Sequence, residues 1–420
     1  MNFRKPPGIE DIFPDRIPLW NHVTGSARDT FRNHNFREII IPIMEFTDVF
    51  RRGIGDETDI VSKEMFTFED RGGRSLTLRP EGTASVVRAY CENGEYNRLA
   101  KAKLFYIGPM FRAEKPQRGR LRQFNQFGAE LFGDDTPWHD YEIIAMVNDI
   151  TKRLGIPNYS LLVNSIGCPD DRAAYVDKLS SYYRSHADEL CKSCRERLRR
   201  NPMRLLDCKE ESCTRLKKNA PRITDFLCGA CTAHHSTLLS ILDSTGITYT
   251  EDPYLVRGLD YYSKTTFEYV TDALGGQNAF AAGGRYNSLV EHFGGKPKPA
   301  VGFAAGIERL CLLLEDTYTG TEAVDCFIIN LGRENIMEAA SLAASLRESG
   351  FSCDLEYGGG SFKSQMKKCE RENARTALVI DDSSRDANRL KLLDIEKREE
   401  TEISFDILYD SLHTVLNRDE

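Results

Sequence analysis

The spacing of apolar and polar positions changes character several times along the chain. Ile17, Trp20, Ala27 and Phe31 recur at helical intervals and predict a helix over 17–35. Ile39-Ile40-Ile41-Pro42-Ile43 reads as a strand interrupted by a proline. Met65–Phe68 and Ser75–Leu78 read as a hairpin turning through Gly72-Gly73. Two more strands are expected at 104–111 and 121–132, joined by a basic loop. Ile143, Val147, Ile150 and Leu154 predict a helix over 141–154, and a strand is expected at 160–164. From 170 to about 245 the pattern is polar and helical. Strand signals return at 256–262 and 265–270 and suggest a second hairpin. A glycine-rich segment, 275–284, precedes a short helix, and 300–303 reads as a strand running into a helix at 306–314.

Residues 325–420 have their own rhythm. Strands expected at 327–329, 377–380 and 390–394 alternate with helices at 334–349, 362–374 and 405–417. The expected fold class is therefore α+β. An antiparallel, strand-rich body over 1–320 is interrupted by a helical cysteine-rich insertion at 170–245. A C-terminal α/β domain at 325–420 follows a linker at 317–323. A length of 420 residues suits two or three domains.

Composition narrows the class of function. With 40% apolar and 29% charged residues, the chain reads as soluble and globular. Met1 to Asp15 has no apolar run, so neither a signal peptide nor a membrane span is expected there, and the expected location is cytoplasmic. A net charge of −8 excludes a generally basic nucleic-acid coat, but it leaves room for local basic patches. No P-loop signature is present, so a nucleotide site would be built otherwise.

The loop after 111 holds Arg112, Lys115, Arg118, Arg120 and Arg122 against one acid, Glu114. That density of cations suits a triphosphate or an RNA end. If 120–131 is extended, Arg120, Arg122, Phe124, Gln126, Gly128 and Glu130 share a face. Cations, an aromatic plate, an amide and a carboxylate would be costly to bury there without partners. The competing reading is a solvated edge strand.

Six of the 12 cysteines fall between Cys191 and Cys231. Paired spacing points to structural zinc, with Cys191, Cys194, Cys228 and Cys231 the preferred set and Cys208 and Cys213 as substitutes. His234 and His235 are further candidates. The alternative is reduced cysteines packed within a helical insertion.

Phe111-Arg112-Ala113-Glu114 with Arg122-Gln123-Phe124 resembles motif 2 of class II aminoacyl-tRNA synthetases. Gly302 to Leu310 resembles motif 3, and Pro42 sits where motif 1 carries its proline. Leu255-Val256-Arg257-Gly258-Leu259-Asp260-Tyr261-Tyr262 and Ala282-Gly283-Gly284-Arg285-Tyr286 resemble the histidine-specific motifs of histidyl-tRNA synthetases. The similarity spans about residues 6 to 400, including Thr77 to Thr83 and Gly358 to Lys363.

This resemblance implies ligation of L-histidine to tRNA(His) through a histidyl-adenylate, with ATP and Mg2+ as cofactors. It implies that Arg112 binds the α-phosphate and Arg309 the γ-phosphate. Glu114 would accept from the adenine amino group, Phe124 would stack on the base, and Arg120 would complete the ATP set. The histidine site would comprise Glu81, Gly82, Thr83, Arg112, Gln126, Glu130, Arg257, Tyr261 and Tyr262. Among these, Glu130 and Tyr262 would take the ring. Arg257 is the implied catalytic residue, with Arg112, because a fixed guanidinium stabilises charge growing on the α-phosphate. A plain salt-bridging role for Arg257 is the alternative. Strand parity puts Arg257 and Tyr261 on one face and Tyr262 on the other, so a twist or bulge near Gly258 is expected. The family commonly has aspartate where this chain has Asn287, which leaves Arg285 a neutral neighbour.

By the same resemblance, 325–420 is an anticodon-binding domain and the chain is a homodimer. Gln117 and Arg118 would meet the 5′ end of the tRNA, and Lys363 and Lys367 would lie near the anticodon. The domain's 13 Lys or Arg against 20 Asp or Glu argue against indiscriminate RNA binding. The segment 381–388 departs from the family's usual Gly-Glu pattern. The rival reading is a non-catalytic paralogue, the regulatory subunit of ATP phosphoribosyltransferase. Such a paralogue typically lacks both the anticodon domain and the arginine motif at 255–262.

Overall fold

The computed structural model describes residues 3–55, 58–275 and 278–417. Met1 and Asn2 of the N-terminal segment, Gly276 and Gln277 of the glycine-rich stretch, and 418–420 lie outside the described residues. The chain divides into two compact units, one ending at Tyr318 and the other beginning at Thr319.

In chain order the strands of the first unit are β1 (Arg37–Glu38), β2 (Met44–Phe46), β3 (Phe66–Glu69), β4 (Ser75–Leu78), β5 (Ala102–Phe111), β6 (Gln123–Phe132), β7 (Ser160–Ser165), β8 (Thr250–Glu251), β9 (Ser263–Val270), β10 (Ala279–Arg285) and β11 (Ala300–Gly306). Eight of them form one sheet in the order β1-β5-β6-β11-β10-β9-β7-β8. Its interior pairings are antiparallel, and only the edge pairs β1–β5 and β7–β8 are parallel. β2, β4 and β3 make a small antiparallel sheet beside it.

Side-chain alternation divides the labour of the large sheet. Phe105, Phe127, Ala129, Leu131, Phe267 and Phe303 point to a core with Phe31, Ile143, Val147 and Leu238 from the helices Ile17–Asn33, Pro137–Arg153 and Gly229–Ser244. The opposite face of β6 carries Phe124, Gln126, Gly128 and Glu130. There a second core gathers Tyr106, Tyr261, Tyr262 and Tyr286 with the insertion's Tyr175, Tyr183, Cys194 and Cys213.

The second unit is a five-stranded sheet ordered β13-β12-β14-β15-β16, with β12 (Cys326–Asn330), β13 (Cys353–Leu355), β14 (Thr376–Ile380), β15 (Arg389–Asp394) and β16 (Glu399–Ser404). β13, β12 and β14 run parallel, and β15 and β16 antiparallel. The helices Ile336–Glu348, Phe362–Arg371 and Leu408–Leu416 were expected from periodicity. β13, β16 and the helix Asp382–Ala387 were not. β13 is three residues long, and all the residues of β16 but Ile403 and Ser404 are exposed, so neither carries an apolar alternation.

Several expectations fail for identifiable reasons. Residues 39–43 are not a strand. The buried Arg79 donates to the carbonyls of Ile41 (2.6 Å), Pro42 (3.3 Å) and Pro109 (2.8 Å), which takes the acceptors a ladder would use. Residues 256–262 are irregular rather than half of a hairpin, because β9 pairs with β7 and β10 instead. β6 begins at Gln123, so Arg120 and Arg122 sit in the preceding loop and not on its face. The glycine-rich stretch is largely strand β10, since Gly283 packs where a Cβ would lie 2.2 Å from the Gly302 carbonyl oxygen.

Arg285 is wholly buried at the end of β10, yet it is not left with a neutral neighbour. Its Nε lies 3.1 Å from both carboxylate oxygens of Asp140 on the helix Pro137–Arg153, and its guanidinium also donates to the Thr136 carbonyl (2.8 Å). Asn287 accepts from it at 3.3 Å as a supplement. Burial would raise the Asp140 carboxyl, but Arg285 and His234 outweigh it and hold it down at about 2. Asp140→Asn leaves the buried guanidinium only the more distant carboxylate of Asp135, at 3.5 Å, and the expected cost is about 3–5 kcal/mol in urea unfolding. A loss below about 1 kcal/mol would show that the pair does not anchor β10.

Candidate active site

A cleft of about 280 Å³, open to solvent, lies on the second face of the large sheet. Its walls hold Glu81, Thr83, Arg112, Glu114, Arg120, Phe124, Gln126, Arg257, Tyr261, Tyr262 and Arg309. Four stretches of chain, 81–83, 112–126, 257–262 and 309, supply these side chains.

The chain builds the amino-acid end of the cleft from a helix start. Glu81 accepts from the backbone N–H groups of Thr83 (2.7 Å) and Ala84 (2.8 Å), capping the helix Thr83–Glu92. Burial pushes the Glu81 carboxyl above its usual range against those hydrogen bonds. Gly82 does not line the cleft. A Cβ there would lie 2.2 Å from the Tyr106 ring, so its role is close packing.

The Thr83 hydroxyl donates to Glu130 at 2.6 Å, and the Tyr286 hydroxyl donates to the other oxygen. Glu130 is fully buried behind the cleft wall rather than in it, over Gly302, where a Cβ would collide with its carboxylate at 1.8 Å. Burial pushes the Glu130 carboxyl up to about 8 despite the two hydroxyl donors. Gln126 lines the cleft, and its buried Oε1 has no partner among the described residues, an acceptor left over for a ligand.

The cations are held individually. Arg112 donates from Nε to the Pro80 carbonyl at 3.0 Å and lies over the Phe124 ring, 5.2 Å from its centroid. Burial depresses its pKa, against support from Glu64 and Glu81. Arg309 donates to the carbonyls of Gly119 (2.9 Å) and Ala279. Arg120 is paired with Glu114, the expected partner of an adenine amino group. Glu308, at the start of the helix Ile307–Leu314, clamps the backbone and side-chain N–H groups of Asn125 at 2.9 Å and so ties that helix to β6.

Arg257 projects from the irregular segment 255–262 and pairs with Glu268 of β9. Burial alone would lower its pKa; the Glu268 carboxylate more than offsets this, so the guanidinium is held more firmly charged than usual. Its buried Nε has no partner among the described residues. The alternative reading, a salt bridge, is thus present, and the same side chain lines the cleft. Tyr261 and Tyr262 are both buried, with ring centroids 4.6 Å apart, and both reach the cleft. No bulge in a strand is needed, because a non-repetitive backbone frees consecutive side chains from alternation.

Gln117 and Arg118 form the exposed tip of the loop between β5 and β6, turned by Gly119 at φ +70°. In the second unit, Lys363 and Lys367 are exposed one turn apart on the helix Phe362–Arg371. Lys368 is paired with Glu356, and Arg371 with Glu372. Buried Gln365 fixes that helix to Asn330 at the end of β12.

The cysteines regroup. Cys191, Cys194, Cys208 and Cys213 bring their sulfurs within 4.8 Å of one another. Cys228 and Cys231 belong elsewhere, beside Cys168 and Asp171. The expected outer-pair set is therefore incorrect, because the insertion folds the start of the helix Lys192–Arg200 back onto 208–213. His234 and His235 are also not ligands: they face Asp140 and Glu251, each at 3.2 Å. Sequence reasoning missed Asp140 and Glu308, whose partners lie far away in the chain, and Glu268, which is near Arg257 in sequence but on a different element. Polar side chains on otherwise β-forming or apolar segments were their one visible signal.

The family profile described as histidyl-tRNA synthetase matches residues 8–310, and the anticodon-binding domain profile matches 325–414. A histidine–tRNA ligase of Halothermothrix orenii is 47% identical over 406 residues, 96% of this chain and 97% of that protein. One of Desulforamulus reducens is 42% identical, covering 95% and 96%. The crystal structure of apo histidyl-tRNA synthetase from S. aureus superposes with a TM-score of 0.81 at 36% identity, covering 98% of this chain and 100% of that one. An ATP phosphoribosyltransferase regulatory subunit/histidyl-tRNA synthetase from Bacillus halodurans shares the fold, with a TM-score of 0.65 at 24% identity. The antiparallel floor with its charged cleft, joined to an anticodon-binding domain, defines an aminoacyl-tRNA synthetase. The chain belongs to the histidyl-tRNA synthetase family.

The raised Glu130 carboxyl has a consequence for stability. The fold keeps this proton while the unfolded chain, with an ordinary value of 4.5, gives it up, so stability falls as pH rises from 4.5 to about 8. Glu130→Gln should flatten the pH dependence of Tm across that window. Identical Tm–pH curves for both proteins would show that Glu130 ionises normally in the fold.

Proposed function

We propose that this chain ligates L-histidine to tRNA(His) in two steps at the cleft. The observation that carries the reading is the convergence of Arg112, Arg257 and Arg309 on one cleft that also holds Phe124, Gln126 and the Tyr261–Tyr262 pair. Three guanidinium groups suit a triphosphate, and the aromatic plate under Arg112 suits a base.

In the first step the histidine carboxylate attacks the α-phosphorus of ATP, and pyrophosphate leaves with the electrons of the broken P–O bond. Arg112 and Arg257 hold the α-phosphate, and Arg257 stabilises charge on its equatorial oxygens. Arg309 holds the γ-phosphate. Glu114 exchanges Arg120 for the adenine amino group. Glu81, Thr83, Gln126 and Tyr261 hold the amino-acid end, while Tyr262 reads the ring and Glu130, behind the wall, positions the Thr83 and Tyr286 hydroxyls. Gly82 lets the Glu81–Thr83 turn lie against Tyr106. In the second step the terminal ribose 3′-hydroxyl of the tRNA attacks the adenylate carbonyl and AMP leaves. Magnesium, when bound, would supply charge neutralisation for the phosphates, and Glu268, which lines the cleft, would offer it a hard oxygen donor.

Gln117 and Arg118 meet the acceptor end of the tRNA. Lys363 and Lys367 meet the anticodon, on a helix anchored by Gln365. The catalytic domain runs over 1–320 with its insertion at 170–245, and the anticodon-binding domain over 325–420. The site of action is the cytoplasm. Homodimerisation is supported by apolar side chains left exposed around β2, Ile40 at 92% and Phe46 at 54% among them.

Zinc at Cys191, Cys194, Cys208 and Cys213 is structural. Tetrahedral thiolates at a Zn–S length of about 2.3 Å stand about 3.8 Å apart, and Cys191 Sγ lies 3.8 Å from Cys208 Sγ. The ion would hold 201–208, and with it Arg204 and Asp207, which line the outer part of the cleft beside Arg257.

The regulatory-subunit reading is not favoured, since this chain keeps Arg257 and an anticodon-binding domain. The test is histidine-dependent exchange between pyrophosphate and ATP. Pure, folded protein should catalyse it, and no exchange would sink the reading. Arg257→Ala should lower the adenylation rate by about 10²-fold or more while histidine affinity holds within a few-fold. An equal loss of affinity would make Arg257 a ground-state clamp.

A further inference from the structure

Cys168-x2-Asp171 and Cys228-x2-Cys231 occupy matching positions on two helices. Cys168 is the N-cap of Pro169–Arg184 and Asp171 its third residue; Cys228 is the N-cap of Gly229–Ser244 and Cys231 its third residue. The two helix starts face each other, and three sulfurs and a carboxylate oxygen lie within 4.8 Å of one another. Asp171 and Cys231 are buried. Asp171 already spans the junction: one oxygen accepts from the Cys168 N–H at 3.2 Å and the other from the Cys228 N–H at 3.0 Å. Each oxygen keeps a second lone pair for a further partner.

We infer that Cys168, Asp171, Cys228 and Cys231 form a second zinc centre, separate from the four-cysteine cluster. A borderline-soft ion that accepts both thiolate and carboxylate in a tetrahedron matches the donor set. Two helix N-termini favour the ionised ligands. Its place in the fold gives it a purpose. Cys168 follows β7 by three residues, where the chain leaves the large sheet for the insertion. Cys228 begins the helix that carries Leu238 and Leu242 back into the sheet's core. The centre therefore ties the outgoing strand to the returning helix and closes the neck of the insertion, while the four-cysteine cluster organises its interior. A neck held this way fixes the insertion's orientation over the cleft independently of how tightly its own helices pack. The inference stands apart from the aminoacylation reading.

The test is zinc content, by plasma mass spectrometry, of the full chain purified under reducing conditions without chelator. Serine is itself a favoured N-cap, so Cys168→Ser removes a ligand while keeping the helix start. Wild type should carry two zinc ions per chain, and Cys168→Ser and Cys208→Ser one each. An unchanged zinc content in Cys168→Ser overturns the second centre; an unchanged content in Cys208→Ser overturns only the first. X-ray absorption at the zinc edge needs no variant. Seven sulfur ligands and one oxygen shared by two ions support the inference, and a purely four-sulfur spectrum from one ion per chain contradicts it.

Discussion

Everything in the catalytic unit answers to the cost of keeping charge out of water. The large sheet presents arginines and carboxylates on a face that tyrosines and the helical insertion largely enclose. A buried charge survives there only with a partner and hydrogen bonds. Arg257 has Glu268, Arg120 has Glu114, Arg285 has Asp140, and Glu130 has the hydroxyls of Thr83 and Tyr286. The pairs differ in what a ligand can do to them. Arg285–Asp140 is sealed and structural. Arg120–Glu114 lies in the cleft wall, where a nucleotide can exchange one partner for another. Arg257–Glu268 leaves a guanidinium edge unpartnered beside the cleft.

Strand register turns this constraint into geometry. Gly302 of β11 lies opposite Glu130 of β6, and the missing side chain is the space the carboxylate occupies. Gly82 gives up its side chain to the Tyr106 ring, which lets the Glu81–Thr83 turn sit against the floor. Gly82, expected in the histidine site, and Gly302, the first residue of the motif 3 resemblance, are thus places where the fold needs a missing side chain.

The strands and helices with a clear alternating or helical period were legible in the sequence: the helix at 17–33, the hairpin of β3 and β4, the pair β5 and β6, and most of the C-terminal unit. Periodicity failed where tertiary partners overrode it. The isoleucines of 39–43 look β-forming, but Arg79 claims their carbonyls. The segment 255–262 has strand composition and no free edge to pair with. The cysteines were correctly seen as clustered, but spacing alone could not divide them, because the division depends on which helices face each other. Residue identity, through family resemblance, marked most of the cleft lining in advance. It did not mark Glu268, Asp140 or Glu308, since a counter-ion is defined by its partner's position in space. Gly82 and Glu130 were expected at the ligand and lie behind the wall instead.

If charge compensation is what readies the site, Glu268 holds Arg257 in place and charged, and its removal should be felt in chemistry before binding. The direct measurement is single-turnover formation of histidyl-adenylate by Glu268→Gln, alongside its equilibrium affinity for histidine. The expected rate is lower by about 10-fold or more, with histidine affinity nearly unchanged. A wild-type rate in a folded Glu268→Gln protein would contradict it.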